Sequence, residues 1–266
     1  MEAMFTGHGN LSYDSTKNRI IWLSLSFQAG TINVGGFLAA QRFVTHTTGF
    51  ATFFGESVAR GNFIAGLGLL SVPLFFLLGS MLAGYLVDRR IILNQKPLYS
   101  LSFFLMIFFM LLTTWIGVSD GFGRFGVELR LKENYFFLAL LCLTSGLQNG
   151  LVTTAFGATI RTTHLTGVTT DLGLGLIRIF FNATGSHPRT REVKANWMRF
   201  SIITAFVLGS LFSGIIFLKT EFWGFLIPTG ISTGLWLLSL YHGPERAQRW
   251  LHLFHHKKTK KGAPIR

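Results

Sequence analysis

A chain of 266 residues has the length of one or two soluble domains, but only 13% of its residues are charged, 28 are Phe, and its mean hydropathy is +0.45. Ordinary globular chains carry about a quarter charged residues, so a soluble globular protein is excluded. The remaining charge is lopsided, 24 Lys+Arg against 11 Asp+Glu for a formal +13, a balance that suggests nucleic acid unless the cations flank apolar spans.

Residues 1–19 are polar, without a cleavable apolar core, and are read as a cytoplasmic tail. A bilayer core takes about 20 apolar residues as helix, and residues 20–40 form the first uncharged window of that length. Residues 43–60 are apolar enough to enter a membrane but carry His46, Glu56 and several threonines. An ionisable group at the centre of an inserted helix costs about 2.5–3.5 kcal/mol. A short, broken or re-entrant segment buried among the other helices is therefore preferred to a full crossing. Residues 63–87 and 97–118 are the next windows. Pro73 inside the first should kink it, and Pro97 opens the second where a first-turn proline is harmless. After a connecting loop at 119–133 comes window 134–160, which holds the single cysteine, Cys142. One cysteine excludes an intramolecular disulfide. Residues 162–178 repeat the ambiguity, with His164, Asp171 and threonines. Windows 200–218 and 222–241 follow, with Pro228 inside the latter, and residues 242–266 form a basic tail.

The distribution of positive charge leaves the number of spans open. Six spans place 18 of the 24 basic residues in the cytoplasm and 6 outside; eight spans give the same division. Both schemes put both termini in the cytoplasm.

Self-similarity is more informative. Gly30-Thr-Ile-Asn33 reappears as Gly146-Leu-Gln-Asn149, and Thr45-His46-Thr47-Thr48-Gly49 as Thr163-His164-Leu165-Thr166-Gly167. At the latter offset Thr52 meets Thr170, and Arg60 meets Arg178. Leu78-Gly79-Ser80, with Gly84 beyond it, matches Leu208-Gly209-Ser210 and Gly214. The chain is read as a duplicated unit, repeat 1 at 20–118 and repeat 2 at 134–241. Three crossings per unit make the halves inverted; four make them parallel. Inverted repeats are a recurring plan of secondary transporters, with a site at the repeat interface. The expected fold is therefore an all-α polytopic membrane protein of about six transmembrane helices. These form two inverted three-helix repeats, each with an extra short polar or re-entrant helix.

The motifs at Gly30–Asn33, Phe43–Gly49, Gly146–Asn149 and Arg161–Gly173 together resemble the YoaK family, the DUF1275 or UPF0700 group. The resemblance runs from about Phe27 to Tyr241, departing at Phe50, where many members have Asn after Thr-Gly. It implies a bacterial polytopic protein of the cytoplasmic (inner) membrane and, since the function of the family is unassigned, transfers no activity.

Glu56 and Asp171 are the two carboxylates within candidate membrane-embedded segments, one per repeat. Arg60 is the expected partner of Glu56, and Arg178 or Arg161 that of Asp171. Each pair serves either as an interfacial salt bridge or in substrate coupling. His46 and His164 could relay protons or pack. Thr45, Thr48 and Thr52, matched by Thr163, Thr166 and Thr170, recur at i, i+3 and i+7, a hydroxyl stripe on one helical face. Gln28, Asn33, Gln148 and Asn149 need hydrogen-bond partners inside spans, either pinning the repeats or lining a pathway. Gly79/Ser80/Gly84 and Gly209/Ser210/Gly214 are read as close-packing surfaces. Neither a catalytic motif, a metal site nor a cofactor site is read from the sequence.

The function expected is a small-solute transporter or permease; a His/carboxylate membrane enzyme and a non-transporting scaffold are the alternatives. Expected partners are the bilayer, anionic lipid headgroups at the C-terminal basic tail, and an unknown small solute or ion. A homo-oligomer stays open, and nucleic acid is not expected.

Overall fold

The computed structural model describes residues 16–126, 131–155, 165–181 and 189–241. The long apolar runs become helices because a chain removed from water must satisfy its backbone internally. In order these are α1 (Thr16–Ala40), α2 (Thr47–Ala59) and α3 (Phe63–Ala83). A π-helical turn, Gly84–Asp88, leads from α3 into the short α4 (Arg89–Ile92). Then come α5 (Tyr99–Val118), α6 (Leu131–Ala155), α7 (Leu165–Phe180) and α8 (Arg189–Thr220). A 3-10 turn, Glu221–Phe225, precedes α9 (Leu226–Tyr241). No strand occurs among the described residues, as an all-α chain requires.

Among the described residues, four helical stretches are long and apolar enough to cross a bilayer: Phe63–Ile92, Tyr99–Val118, Tyr135–Thr154 and Arg189–Tyr241. The last contains two of the six windows expected from sequence, joined through the 3-10 turn. The first window, α1, is helical throughout but falls short in apolarity, because Ser26, Gln28, Thr31 and Asn33 interrupt it. Those side chains are all buried in the bundle.

Two of the prolines sit differently from the expected windows. Pro228 lies in the first turn of α9, because the 3-10 turn delays the helix start to Leu226. Its missing N–H there removes a donor that has no intrahelical partner anyway. Pro97 stands two residues before α5 rather than opening it. α3 continues through Pro73.

Two buried clusters mark the ends of the bundle. One joins Trp22 and Leu25 of α1, Phe103 of α5, Leu151 of α6 and Ile202 of α8 with Ala83 and Leu235. The other joins Ile32 and Ala39 of α1, Met110 of α5, Phe137, Leu138 and Leu141 of α6, and Phe217 of α8 with Val72 and Phe225. The start of α1 is thus level with the end of α6, so these two helices are antiparallel. By the same criterion α1, α5 and α8 run one way, and α3, α6 and α9 run the other. The two short helices sit at opposite ends: Val44 and Phe50, at α2, join the second cluster, and Val168 of α7 joins the first. α2 packs on α3, and α7 packs on α8.

The second end is closed by aromatic rings. The turn after α5 folds inward with Gly123 and Gly126 at positive φ, and Gly126 N donates to Ala39 O at 3.1 Å. Phe122 and Phe125 thereby reach Phe137, Phe217 and Phe222, with ring centroids 5.2–6.3 Å apart. The outer faces of the long helices are apolar: Leu74, Leu77, Phe104, Phe108, Leu211 and Phe212 are all exposed. So extensive an exposed apolar surface marks a membrane protein.

Candidate functional site

The helices meet in two crossed seams. α1 packs against α8, and α3 against α6. A Cβ added at Gly30 would lie 3.0 Å from the Phe206 carbonyl carbon, and one at Gly209 2.8 Å from that of Phe27. The other seam repeats this geometry. A Cβ at Gly146 would lie 2.8 Å from the Phe76 carbonyl carbon, and one at Gly79 3.0 Å from that of Leu143. The serines match too: Ser210 Oγ donates to Gly30 O at 3.2 Å, and Ser80 Oγ to Gly146 O at 3.1 Å. Small residues let backbones approach this closely. Gly84 has nothing within 4 Å, and Gly214 makes ordinary contact with Val34, so each small-residue run packs closely at its first glycine and serine only.

Between the seams lies a polar bridge. Gln28 Nε2 donates to Gln148 Oε1 at 2.9 Å, Gln148 Nε2 donates to Leu25 O at 2.7 Å, and Ser232 Oγ donates to Gln28 Oε1 at 3.1 Å. All three side chains are buried, where an unpaired amide costs about 1–3 kcal/mol. Thr31 and Ser213 share a further buried bond of 2.8 Å across the α1–α8 seam. The glutamines therefore pin α1, α6 and α9 together. Spacing could not pair them, because 120 residues separate them.

The residues singled out in the sequence divide into several groups. Thr45 Oγ1 donates to Asn33 Oδ1 at 2.9 Å, a buried bond tying the entry of α2 to α1. His46 precedes the first residue of α2 and lies 5.5 Å from the Phe43 ring. It is exposed, yet enough of its ring is desolvated to lower its pKa below the ordinary histidine value. Thr48, Thr52, Glu56 and Arg60 are exposed on α2. Arg60 pairs with Glu56 at 3.0 Å as spacing predicts, but an exposed i,i+4 pair contributes only about 0.3–0.5 kcal/mol. Asn149 is buried on α6. Thr166, Thr170, Asp171 and Arg178 are exposed on α7. Arg161, Thr163 and His164 lie outside the described residues, as do residues 1–15 and the C-terminal tail; residues 16–19, read from sequence as tail, are the first turn of α1.

Arg178 pairs across to α8: its NH1 lies 3.6 Å from Glu192 Oε1. Arg199 reaches the same oxygen at 2.8 Å and also donates to Asn196 Oδ1. Gly175 makes room for this group, since a Cβ there would run into the Asn196 amide. Sequence alone reads 162–178 as a short polar or re-entrant segment, leaves 179–199 outside every window, and misses this cluster. The i, i+7 spacing of Glu192 and Arg199 is the signal that could have found it. Beside the cluster, α7 and α8 enclose a groove of about 370 Å³. Among the described residues, no three His, Cys, Asp or Glu side chains gather as a metal donor set.

A family model described as "Protein of unknown function (DUF1275)" matches residues 21–238. That is most of the chain, which therefore belongs to this family. No curated protein and no solved structure matches it.

Proposed function

We propose that this DUF1275 protein is a bacterial inner-membrane transporter of a small solute, built from two inverted three-helix repeats with both termini cytoplasmic. The crossed seams carry the reading. The Gly30, Gly209 and Ser210 contacts of α1 with α8 have counterparts in Gly146, Gly79 and Ser80 between α6 and α3, at sequence-matched positions. The antiparallel course of α1 and α6 supports inversion. In this arrangement each seam is a rigid pair, and the two pairs rock about the Gln28–Gln148–Ser232 bridge, opening the interface alternately to either side. α2 and α7, at opposite ends, flank the two entrances with their threonines, His46 and the Glu56 and Asp171 carboxylates. Asn33, Gln148 and Asn149 lie toward the interface.

One observation favours a second reading, a scaffold that moves nothing: the buried polar groups of the interface bond to one another. Flux decides between the two. Purified protein in proteoliposomes is assayed for uptake of amino acids, carboxylic acids, sugars and nucleobases. Saturable uptake of one class, lost when engineered cysteines cross-link α1 to α6, is the expected result. Folded protein that passes none of them overturns the transporter.

A further inference from the structure

The groove between α7 and α8 is lined by Leu172, Leu176, Val193, Trp197 and Phe200, with Asn196 as its polar group. Asn196 is 6% exposed, and its Nδ2 has no hydrogen-bond partner. An amide that deep without a partner is costly; it lies against Gly175, at the edge of a groove that is otherwise apolar. Arg189 stands on the same face of α8, four residues before Val193 and seven before Asn196. Arg178, two residues beyond Leu176 on α7, reaches α8 through its pair with Glu192, and both arginines are exposed. Trp197, 63% exposed, is the residue type that settles at headgroup depth.

We propose that this groove binds one anionic glycerophospholipid. Its acyl chain lies along Leu172, Leu176 and Phe200, an ester carbonyl accepts from Asn196 Nδ2, and its phosphate meets Arg189 and Arg178. The order of these groups along α8, apolar, then amide, then guanidinium, follows the order of chain, ester and phosphate in such a lipid. The excess of Arg178, Arg189, Arg191 and Arg199 over Glu192 selects an anionic headgroup. The site is distinct from the basic C-terminal tail and independent of whether a solute moves.

The test reconstitutes the full chain in phosphatidylcholine vesicles containing a small fraction of dibrominated phosphatidylglycerol or dibrominated phosphatidylcholine. Bromine quenches nearby tryptophan, and subtracting a Trp197→Phe variant isolates the Trp197 signal. Brominated phosphatidylglycerol should quench that signal at a lower mole fraction, by about fivefold for each arginine engaged. Arg189→Gln together with Arg178→Gln should abolish the preference, and Asn196→Leu should weaken it. Neutralising Lys257, Lys258, Lys260 and Lys261 should leave it unchanged. Equal quenching by the two lipids overturns the proposal, as does a preference that follows the tail lysines. If Trp197→Phe fails to fold, the readout is melting of the otherwise native chain, which phosphatidylglycerol should raise in wild type but not in the double arginine variant.

Discussion

Replacing Gly209 or Gly79 with alanine tests the crossed seams directly. The new Cβ would stand 2.8 Å from the Phe27 carbonyl carbon in the first case and 3.0 Å from that of Leu143 in the second. Carbon atoms pack best at about 3.5–4.0 Å, and the Phe27 and Leu143 carbonyl oxygens lie nearer still, so each pair of helices must separate by at least about 0.5–1.2 Å. A gap of that size forfeits about a quarter to a half of the dispersion attraction along the seam. Overpacking of this kind costs about 1–3 kcal/mol, which for a chain of this length lowers the melting temperature by roughly 2–12 °C. Cys142 supplies the assay, since it is the one cysteine in the chain and it is buried. A thiol-reactive fluorogenic dye therefore reports unfolding in detergent. Gly230→Ala and Gly234→Ala are the controls, because nothing lies within 4 Å of either position and alanine there gains up to about 1 kcal/mol of helix propensity. Similar losses at Gly79 and Gly209, with none at the controls, are expected. If both seam variants melt with wild type, the close packing does not exist.

Three further outcomes are expected. Gln148→Leu strands Gln28 and should cost about 1–3 kcal/mol, whereas Gln28→Leu with Gln148→Leu should cost less than the two singles together; thermal melts of the four proteins measure this. Glu192→Gln should destabilise the chain by about 1–3 kcal/mol, because Arg199, only 18% exposed at its side chain, loses its charged partner; the same dye melt checks it, with Arg199→Gln in the Glu192→Gln background as the rescue. Reporter fusions after Gly61 and after Arg90 should place the first outside and the second in the cytoplasm; a cytoplasmic Gly61 refutes the inverted arrangement.

The helical windows are legible in the sequence because uninterrupted apolar runs of bilayer length leave the backbone few alternatives. The repeated Gly and Ser positions are legible as well, although their pairing is not. Nothing local in the sequence says that Gly30 meets Phe206 rather than a residue of its own repeat. Gly84 and Gly214 look like their neighbours in sequence yet face open space or ordinary contact, because five residues beyond the first glycine is a different face of the helix. Spacing pairs Arg178 with the carboxylate of its own segment. Its partner is instead Glu192, since α8 begins eleven residues earlier than its apolar core and brings that carboxylate alongside α7. Helix ends extended by charged residues are invisible to a hydropathy window.

The crossing of the seams also sets an order for biosynthesis. Ser210 contacts Gly30 across 180 residues, so the first helix to emerge waits for nearly the whole chain before its closest neighbour exists. Until then Gln28 and the Gly30 surface of α1 stand in the bilayer without their final contacts, a state open to membrane quality-control proteases and chaperones. The N-terminal half thus lacks its closest partners until the C-terminal half has been made. Supplying the C-terminal half as a separate polypeptide should rescue it, because the two closest seams, α1 with α8 and α3 with α6, both join one half to the other.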